Sequence, residues 1–452
     1  MTDAQRLPLS RQILYAIGTA GWTATDRLVT SFALFFYLPP AGRGLPARLE
    51  ERAVLGLTMF GAIMILGRVV DSVADPLVAA WSDRHRSSLG RRRVFLLWGA
   101  VPLALVTAAI FVPPTRDPSA LNALFLALAL AGFFFLFTVY VVPYLALIPE
   151  LAPTPAARLA LTTQQAFMQL GGAALVMIGA PSLVSALGGG TRGYQGAIGA
   201  TCALAAVLML LPAAAIDERR HAAPVTGEQP PLWASLRLTL ANRPFLLYLG
   251  GNIAYWFAFN IVSAAALYVT TVLMRADEAF QSVALIATFG VAAASFVPWN
   301  RFAHRAGKRP ALLMAGVGFV VAMVAMALVR DRASGLIAFA LFGAPVGALL
   351  VLPNAALADC TDYDWRRTGS RREAMFFGAQ GLLLKVNLGV SSAVLAGLMA
   401  IFGKDPGHDL GIRLAGAVAA ALVMLGMASF WKYPEDQVLE ATDVRGPLPG
   451  SA

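Results

Sequence analysis

Residues 67–76 read GRVVDSVADP. Asp71 and Asp75 stand four residues apart, and Arg68 precedes the first by three. The flanks are apolar: AVLGLTMFGAIMIL leads in and LVAAW leads out. In a helix, positions i and i+4 share a face. Both carboxylates then point the same way, with Arg68 one turn below. Flanks this apolar put the face inside a membrane, where an ionisable group at mid-span costs at least about 2.5–3.5 kcal/mol on insertion scales. Such groups are tolerated where they pair or face water, and they are functional by default. The stretch therefore reads as a membrane helix carrying a working face.

The rest of the chain agrees. It has 452 residues, of which 58% are hydrophobic and 13% charged, with a mean hydropathy of +0.68. A soluble chain has roughly 45–50% apolar and about 25% charged residues, so both figures move toward a membrane protein. A spanning helix needs about 20 mostly apolar residues. Twelve such segments are expected, near 12–38, 53–81, 94–113, 120–149, 160–187, 194–216, 244–273, 280–300, 310–329, 334–358, 373–402 and 410–431. The leading MTDAQRLPLSRQ is polar and runs straight into the first span, so no cleaved leader is expected. Cys202 and Cys360 suggest no disulfide framework, and the four histidines fall in connecting segments, which argues against an intramembrane histidine metal site.

Lysine and arginine set the orientation. With the N-terminus inside, the inner segments carry 22 Lys and Arg against 10 in the outer loops; Arg27, Arg68 and Lys385 lie within spans. Both termini are expected to be cytoplasmic in a multi-pass protein of the cell membrane. The net charge of +10 is then mostly an inner-face charge suited to anionic lipids, and no nucleic-acid partner is expected.

The longest inner link, residues 217–243, splits the spans six and six. The expected organisation is a six-helix bundle over 1–216, the linker 217–243, a second bundle over 244–432 and a tail over 433–452. A repeat supports this. SDRHRSSLGRRRVFLL follows span 2 and NRFAHRAGKRPALLM follows span 8, each with a glycine and two cations before an apolar span. Parallel repeats of this kind place the substrate near the midplane.

Two carboxylates at this spacing can share a proton or coordinate a small hard cation, as a coupled carrier requires. Lys385, in GLLLKVNLGVSS, is the one lysine well inside a span and joins Arg68 as a counter-charge. The plainer alternative is a permanent ion-pair network between spans 2 and 11. Asp26-Arg27 in span 1 reads equally as a functional pair or as self-neutralising neighbours.

Several stretches together resemble the major facilitator superfamily and, within it, the glycoside–pentoside–hexuronide:cation symporters, the family of the melibiose permease. They are RVVDSVADPLVAAWSDRHRSSLGRRR (68–93), VVPYLALIPEL (141–151), RPFLLYLGGN (243–252) and LPNAALADCTDYDWRRTGSRREAMFFGAQGLLLKVNLG (352–389). The resemblance implies twelve transmembrane helices in two six-helix bundles, an all-α fold, and cation-coupled symport of a sugar or glycoside-type solute by alternating access. It assigns cation binding to Asp71, Asp75 and Thr138, and places Lys385 near that site. The family's asparagine between the aspartates is Ala74 here, which favours H+ over Na+. The family's sugar-contact positions hold Thr23, Val141, Leu145, Gln165 and Leu350. Candidate cavity residues are Trp22, Thr23, Asp26, Gln165, Trp256, Asn260, Gln380 and Asn387. An apolar cavity would also suit a lysophospholipid or other amphipath.

Two inner segments, SDRHRSSLGRRR and DYDWRRTGSRRE, mix acids with arginines. Asp83, Arg84, Arg91, Asp359, Asp362, Arg371 and Arg372 are expected to form a cytoplasmic gate of ion pairs. No enzymatic role, cofactor or metal beyond Na+ is expected, and the chain is expected to work as a monomer on a small solute. DSVAD also matches the D-x-x-x-D of Mg2+-dependent intramembrane prenyltransferases, with DCTDYD as a second cluster, the one enzymatic alternative. Six-plus-six spans and the depth of Asp75 fit that reading poorly.

Overall fold

The computed structural model describes residues 8–39, 46–49, 53–54, 57–216, 231–276, 280–403 and 408–443. The first six spans are built from α1 (Leu9–Arg27) continued by α2 (Ala33–Tyr37), α3 (Met59–Arg84), α4 (Arg93–Ile110), α5 (Ala120–Ala146) with the short α6 (Ile148–Leu151), α7 (Pro155–Ala174) continued by α8 (Ala180–Ala186), and α9 (Gly190–Ala215). A short helix, α10 (Leu232–Leu240), precedes α11 (Arg243–Tyr268), α12 (Phe280–Ala306), α13 (Lys308–Ala327), α14 (Arg332–Thr368), α15 (Glu373–Phe402) and α16 (Leu410–Trp431). Helix α17 (Glu435–Asp443) follows the last span. The linker residues 217–230 lie outside the described residues.

Ten of the described helical segments are long and apolar enough to cross a membrane. The remaining two expected spans, near 12–38 and 53–81, are helical over Leu9–Tyr37 and Met59–Arg84. Their charges lower their hydropathy: Asp26 and Arg27 in one, and Arg68, Asp71, Asp75, Asp83 and Arg84 in the other. The chain is thus a multi-pass membrane protein with the twelve-helix arrangement. Span 2 starts later than its hydropathy suggests. Ala53–Val54 pairs antiparallel with Leu57–Thr58, and the helix begins at Met59. Apolar character alone does not separate short extended segments from a first helical turn. Span 10 runs past its expected end at 358: α14 has 37 residues and carries the D-x-x-D acids on its last turns. At 1.5 Å per residue it is about 55 Å long, more than a hydrocarbon core of about 30 Å requires.

Contacts divide the chain into two compact units. The first comprises Met1–Leu151, Phe167–Val225 and Arg372–Gly378; the second comprises Ala152–Ala166, Thr226–Arg371 and Ala379–Ala452. In the first, α1 packs on α9, α3 on α5, and α4 on both α5 and α9. In the second, α11 packs on α16, α12 on α14, and α13 on both α14 and α16. The same pairing therefore recurs six spans later. The backbone repeats too, since spans 1 and 7 each pass into a five-residue π-helical segment, Leu28–Phe32 and Val269–Leu273. Such wider turns are uncommon and often sit at functional places.

Candidate functional site

Asp71, Asp75 and Thr138 are buried in the first unit, on α3 and α5. The Thr138 hydroxyl lies 3.1 Å from Asp71 Oδ1 and 3.0 Å from Asp75 Oδ1. The i, i+4 spacing thus brings both carboxylates onto one oxygen of the neighbouring helix. Arg68 Nη1 donates to Asp71 Oδ2 at 3.3 Å, and its guanidinium sits 4.6 Å from the centre of the Phe134 ring. Gly67 leaves room for that ring: a β-carbon there would lie 2.7 Å from Phe134. Pro76 follows Asp75 inside the helix. Lacking an N–H, it leaves the carbonyl four residues back, on Ser72, without its helical donor. Ala74 is buried between the aspartates and presents only a methyl group. Lys385 is half-buried on α15 in the second unit.

The first unit also holds an ionic cluster. Arg92 Nη2 donates to Asp83 Oδ1 at 3.1 Å and to Glu373 Oε2 at 2.8 Å; Arg91 Nη2 donates to Glu150 Oε1 at 2.6 Å and to Glu373 Oε2 at 3.2 Å. Arg92 Nη1 lies 2.9 Å from Glu150 Oε1 and also donates to the Ala146 carbonyl. The Asp83 carboxylate accepts from the backbone N–H groups of Ala374 at 3.2 Å and Met375 at 3.1 Å, at the start of α15; the first is an orphan donor of the opening turn, and the second also reaches the Arg372 carbonyl at 3.0 Å. Asp83 lies past the expected end of span 2, at 81. Burial pushes its carboxyl up to about 6, opposed by Arg92 and Arg91.

The second unit has its own cluster. Arg158 Nη1 donates to Asp359 Oδ1 at 2.7 Å and its Nη2 to Asp362; Lys308 Nζ donates to the other oxygen of Asp359. Burial pulls the Arg158 guanidinium down, but Asp362 and Asp359 outweigh it and hold its pKa above the usual arginine value. Arg371 stacks 4.0 Å over the Trp365 ring, Arg372 is buried in the first unit, and Arg84 is exposed at the end of α3. The expected gate residues Asp83, Arg91, Asp359 and Asp362 are thus paired. Their partners Arg92, Glu150, Glu373, Arg158 and Lys308 are not among the residues the sequence assigns to the gate. The acids of DCTDYD are engaged: Asp359 and Asp362 by Arg158 and Lys308, and Asp364 by the Asn242 amide at 3.2 Å. Among the described residues no cluster of three or more His, Cys, Asp or Glu is arranged to hold a metal.

The expected cavity residues divide between the units. Trp22, Thr23 and Asp26 lie on α1; Gln165, Trp256, Asn260, Gln380 and Asn387 lie in the second. Trp22 meets Phe137 edge-on at 5.9 Å between ring centres. Its Nε1, the Thr23 hydroxyl and both amide atoms of Gln165 are buried without a hydrogen-bond partner among the described residues. Asp26 is 4.0 Å from Arg27. Gln380 Oε1 accepts from the Tyr248 hydroxyl at 2.6 Å and from Asn252 Nδ2 at 3.2 Å, and Asn387 Nδ2 donates to the Ile253 carbonyl at 3.2 Å. Trp256 packs edge-on against Phe259; Asn260 is half-buried.

A family model described as MFS/sugar transport protein matches residues 14–436. The isoprimeverose transporter of Lactiplantibacillus pentosus is 22% identical over 433 residues, covering 94% of this chain and 87% of that one. The inner membrane symporter YicJ of Escherichia coli K12 is 23% identical over 412 residues, covering 88% and 84%. Among solved structures, the proton:xylose symporter XylE superposes with a TM-score of 0.67 at 14% identity, covering 96% of this chain and 98% of that one. A bacterial homologue of the iron transporter ferroportin gives 0.68 at 16% identity, covering 94% and 99%. Identities this low speak for the fold alone. The family match, the paired span 2 aspartates and the repeated packing lead to one placement: the chain belongs to the MFS/sugar transport family, in its glycoside–pentoside–hexuronide:cation symporter group, and is a transporter and not an enzyme.

Proposed function

We propose that the protein takes up a small sugar or glycoside-type solute by symport with a proton, using alternating access of two six-helix bundles over residues 1–216 and 244–432. The observation that carries the proton is the Thr138 hydroxyl. It contacts Asp71 Oδ1 at 3.1 Å and Asp75 Oδ1 at 3.0 Å. A hydroxyl has one hydrogen and two lone pairs. Donating to one carboxylate leaves a lone pair facing the other, which a protonated carboxyl fills by donating back. Sodium would find few side-chain oxygens here, because Ala74 supplies none. Arg68, bonded to Asp71, supplies a counter-charge when the pair is ionised; Lys385 is assigned the same role. Trp22, Thr23, Asp26, Gln165, Trp256, Asn260, Gln380 and Asn387 are the residues assigned to substrate contact.

The inner side is assigned to the termini and to both ionic clusters, because 22 of the 35 Lys and Arg fall there. The clusters then serve as the inner gate of a monomeric carrier in the cell membrane. The test is uptake into vesicles of an isotopically labelled panel of sugars and glycosides. A pH gradient is imposed alone, then a sodium gradient alone. Accumulation driven by pH and lost in Asp71→Asn or Asp75→Asn is the expected result. Accumulation driven only by sodium would overturn the choice of ion, and accumulation by both single variants would overturn the site.

A further inference from the structure

Three loops of the first unit, on the side opposite the ionic clusters by sequence order, wall a cavity of about 690 Å³. Among the described residues each wall contributes one arginine, Arg48, Arg116 or Arg192, and no acidic residue lines the cavity. The walls are built. Asn122, fully buried at the start of α5, donates to the carbonyls of Arg48 at 3.0 Å, Thr115 at 3.2 Å and Asp117 at 3.0 Å, and accepts from Thr115 N–H at 3.0 Å. Arg48 is buried and ties the loops together, donating to the Arg116 carbonyl at 2.7 Å and the Thr191 hydroxyl at 3.3 Å. Arg116 and Arg192 are exposed.

The third wall is backbone. Gly188, Gly189 and Gly190 all have positive φ, at 82°, 69° and 59°, and a β-carbon on any of them would meet nothing within 4 Å. The 26-residue helix α9 starts at Gly190, and Gly189, Gly190, Thr191 and Arg192 line the cavity. Gly193 N–H is the first of the turn with a backbone acceptor, the Gly189 carbonyl at 3.0 Å. The first turn of a helix leaves its N–H groups without intrahelical partners, and a bare glycine backbone lets an oxygen approach them closely. Burial and then Arg116 pull the Arg48 pKa down, as expected of a cation held beside a like charge, with Asp117 and Tyr37 acting against them.

We propose that this cavity is a binding site for an oxyanion, a phosphate or carboxylate group held by Arg116 and Arg192 and by the first-turn N–H groups of α9, with Arg48 fixing the frame. Guanidinium groups bind such oxygens in a fork, and a helix N-terminus adds its dipole and its free donors. The group can come from a soluble anion or from a lipid headgroup, and the site is separate from the aspartate pair and from cation coupling.

The test uses the full chain in phosphatidylcholine nanodiscs. Thermal unfolding is followed against inorganic phosphate and against glucuronate, with sodium chloride at equal ionic strength as control, and separately against increasing phosphatidylglycerol. The expected result is a saturable rise in unfolding temperature that chloride does not reproduce. In Arg116→Gln/Arg192→Gln the apparent affinity is about tenfold weaker or worse, as loss of charge-assisted bonds requires. Both arginines are exposed, so the midpoint in chloride should match the wild type and certify the fold. If that midpoint falls, the single variants Arg116→Lys and Arg192→Lys, which keep the charge but lose the fork, replace the double one. A rise with phosphate or glucuronate assigns the site to a soluble anion; a rise with phosphatidylglycerol alone assigns it to a headgroup. No saturable rise, or an equal rise in wild type and variant, overturns the proposal. Proton-driven uptake by the same variant is measured in parallel, and its presence or absence bears on symport alone.

Discussion

Arg92 and Glu373 meet at 2.8 Å, 281 residues apart in sequence, with both side chains buried. Arg91 shares the same carboxylate oxygen at 3.2 Å. Glu373 is thus an acid placed between two guanidinium groups, and Glu150 and Asp83 complete the balance. Breaking a buried pair by removing one partner typically costs about 3–5 kcal/mol, because the charge left behind keeps its desolvation penalty. We predict that Glu373→Gln lowers the unfolding temperature of the detergent-purified protein and increases labelling of a cysteine introduced at Ala374, while Glu373→Asp has a smaller effect. Identical melting and labelling for all three proteins would mean the pair holds nothing.

The second prediction concerns Thr138. Thr138→Ser keeps the hydroxyl between the two aspartates; Thr138→Val keeps the shape and removes it. Hydrogen bonds to charged groups are worth about 1.5–3 kcal/mol, so the valine variant should lose roughly ten- to a hundredfold in the apparent affinity for the coupling ion. The serine variant should stay within a few-fold of wild type. The readout is the initial rate of uptake as the pH of the outer solution is varied. A valine variant that behaves like serine would remove Thr138 from the ion site.

Much of this site could be read from the chain, because the relevant rule is local. Asp71 and Asp75 at i and i+4 had to share a face, and Thr138 Oγ1 bridges them at 3.1 and 3.0 Å. The gate was legible only by halves. Asp83, Arg91, Asp359 and Asp362 stand in charged runs that draw the eye. Arg158 stands alone in PTPAARLAL, and Glu150 alone in LALIPEL. Their importance depends on which segment packs on which, and no local periodicity encodes that. The D-x-x-D of Asp359 and Asp362 did hold a usable signal. As part of α14 the two acids lie three residues apart on one face, and Arg158 takes both. The late start of span 2 at Met59 escaped hydropathy because Ala53–Val54 and Leu57–Thr58 are as apolar as a helix turn.

A third prediction follows from Asp83. Its carboxyl holds a proton up to about 6 in the folded protein, against 3.8 for an ordinary aspartate, chiefly because it is buried. The folded state therefore binds more protons than the unfolded state between those two values, and stability falls with rising pH across that window. Above about 6 the contribution is constant, and below about 4 both states are protonated. Asp83→Asn removes this contribution. We predict that wild type minus variant, measured as unfolding free energy against pH, slopes downward from about pH 4 to about pH 6 and is flat above. A flat difference throughout, or an upward slope, would show that Arg92 and Arg91 win over burial.

The fourth prediction tests how closely α15 must approach the ion site. A β-carbon on Gly378 would lie 2.9 Å from the Ala79 β-carbon and 3.0 Å from the Asp75 carbonyl oxygen, both on α3. Neither is a flexible side-chain end, so any added methyl must move backbone. Overpacking of this kind costs about 1–3 kcal/mol, and the backbone that yields here carries Asp75 itself. Gly389 lies on the same helix, and a β-carbon there would meet nothing within 4 Å. Replacing it with alanine should be neutral or stabilise by up to about 1 kcal/mol through helix propensity. We predict that Gly378→Ala reduces ion-driven accumulation and Gly378→Val abolishes it, while both proteins still insert, and that Gly389→Ala transports as wild type. Transport is measured in vesicles at matched protein content, with thermal unfolding of each variant recorded alongside. Equal transport by the alanine variants at 378 and 389 would show that α3 can yield at Asp75 without disturbing the carboxylate pair.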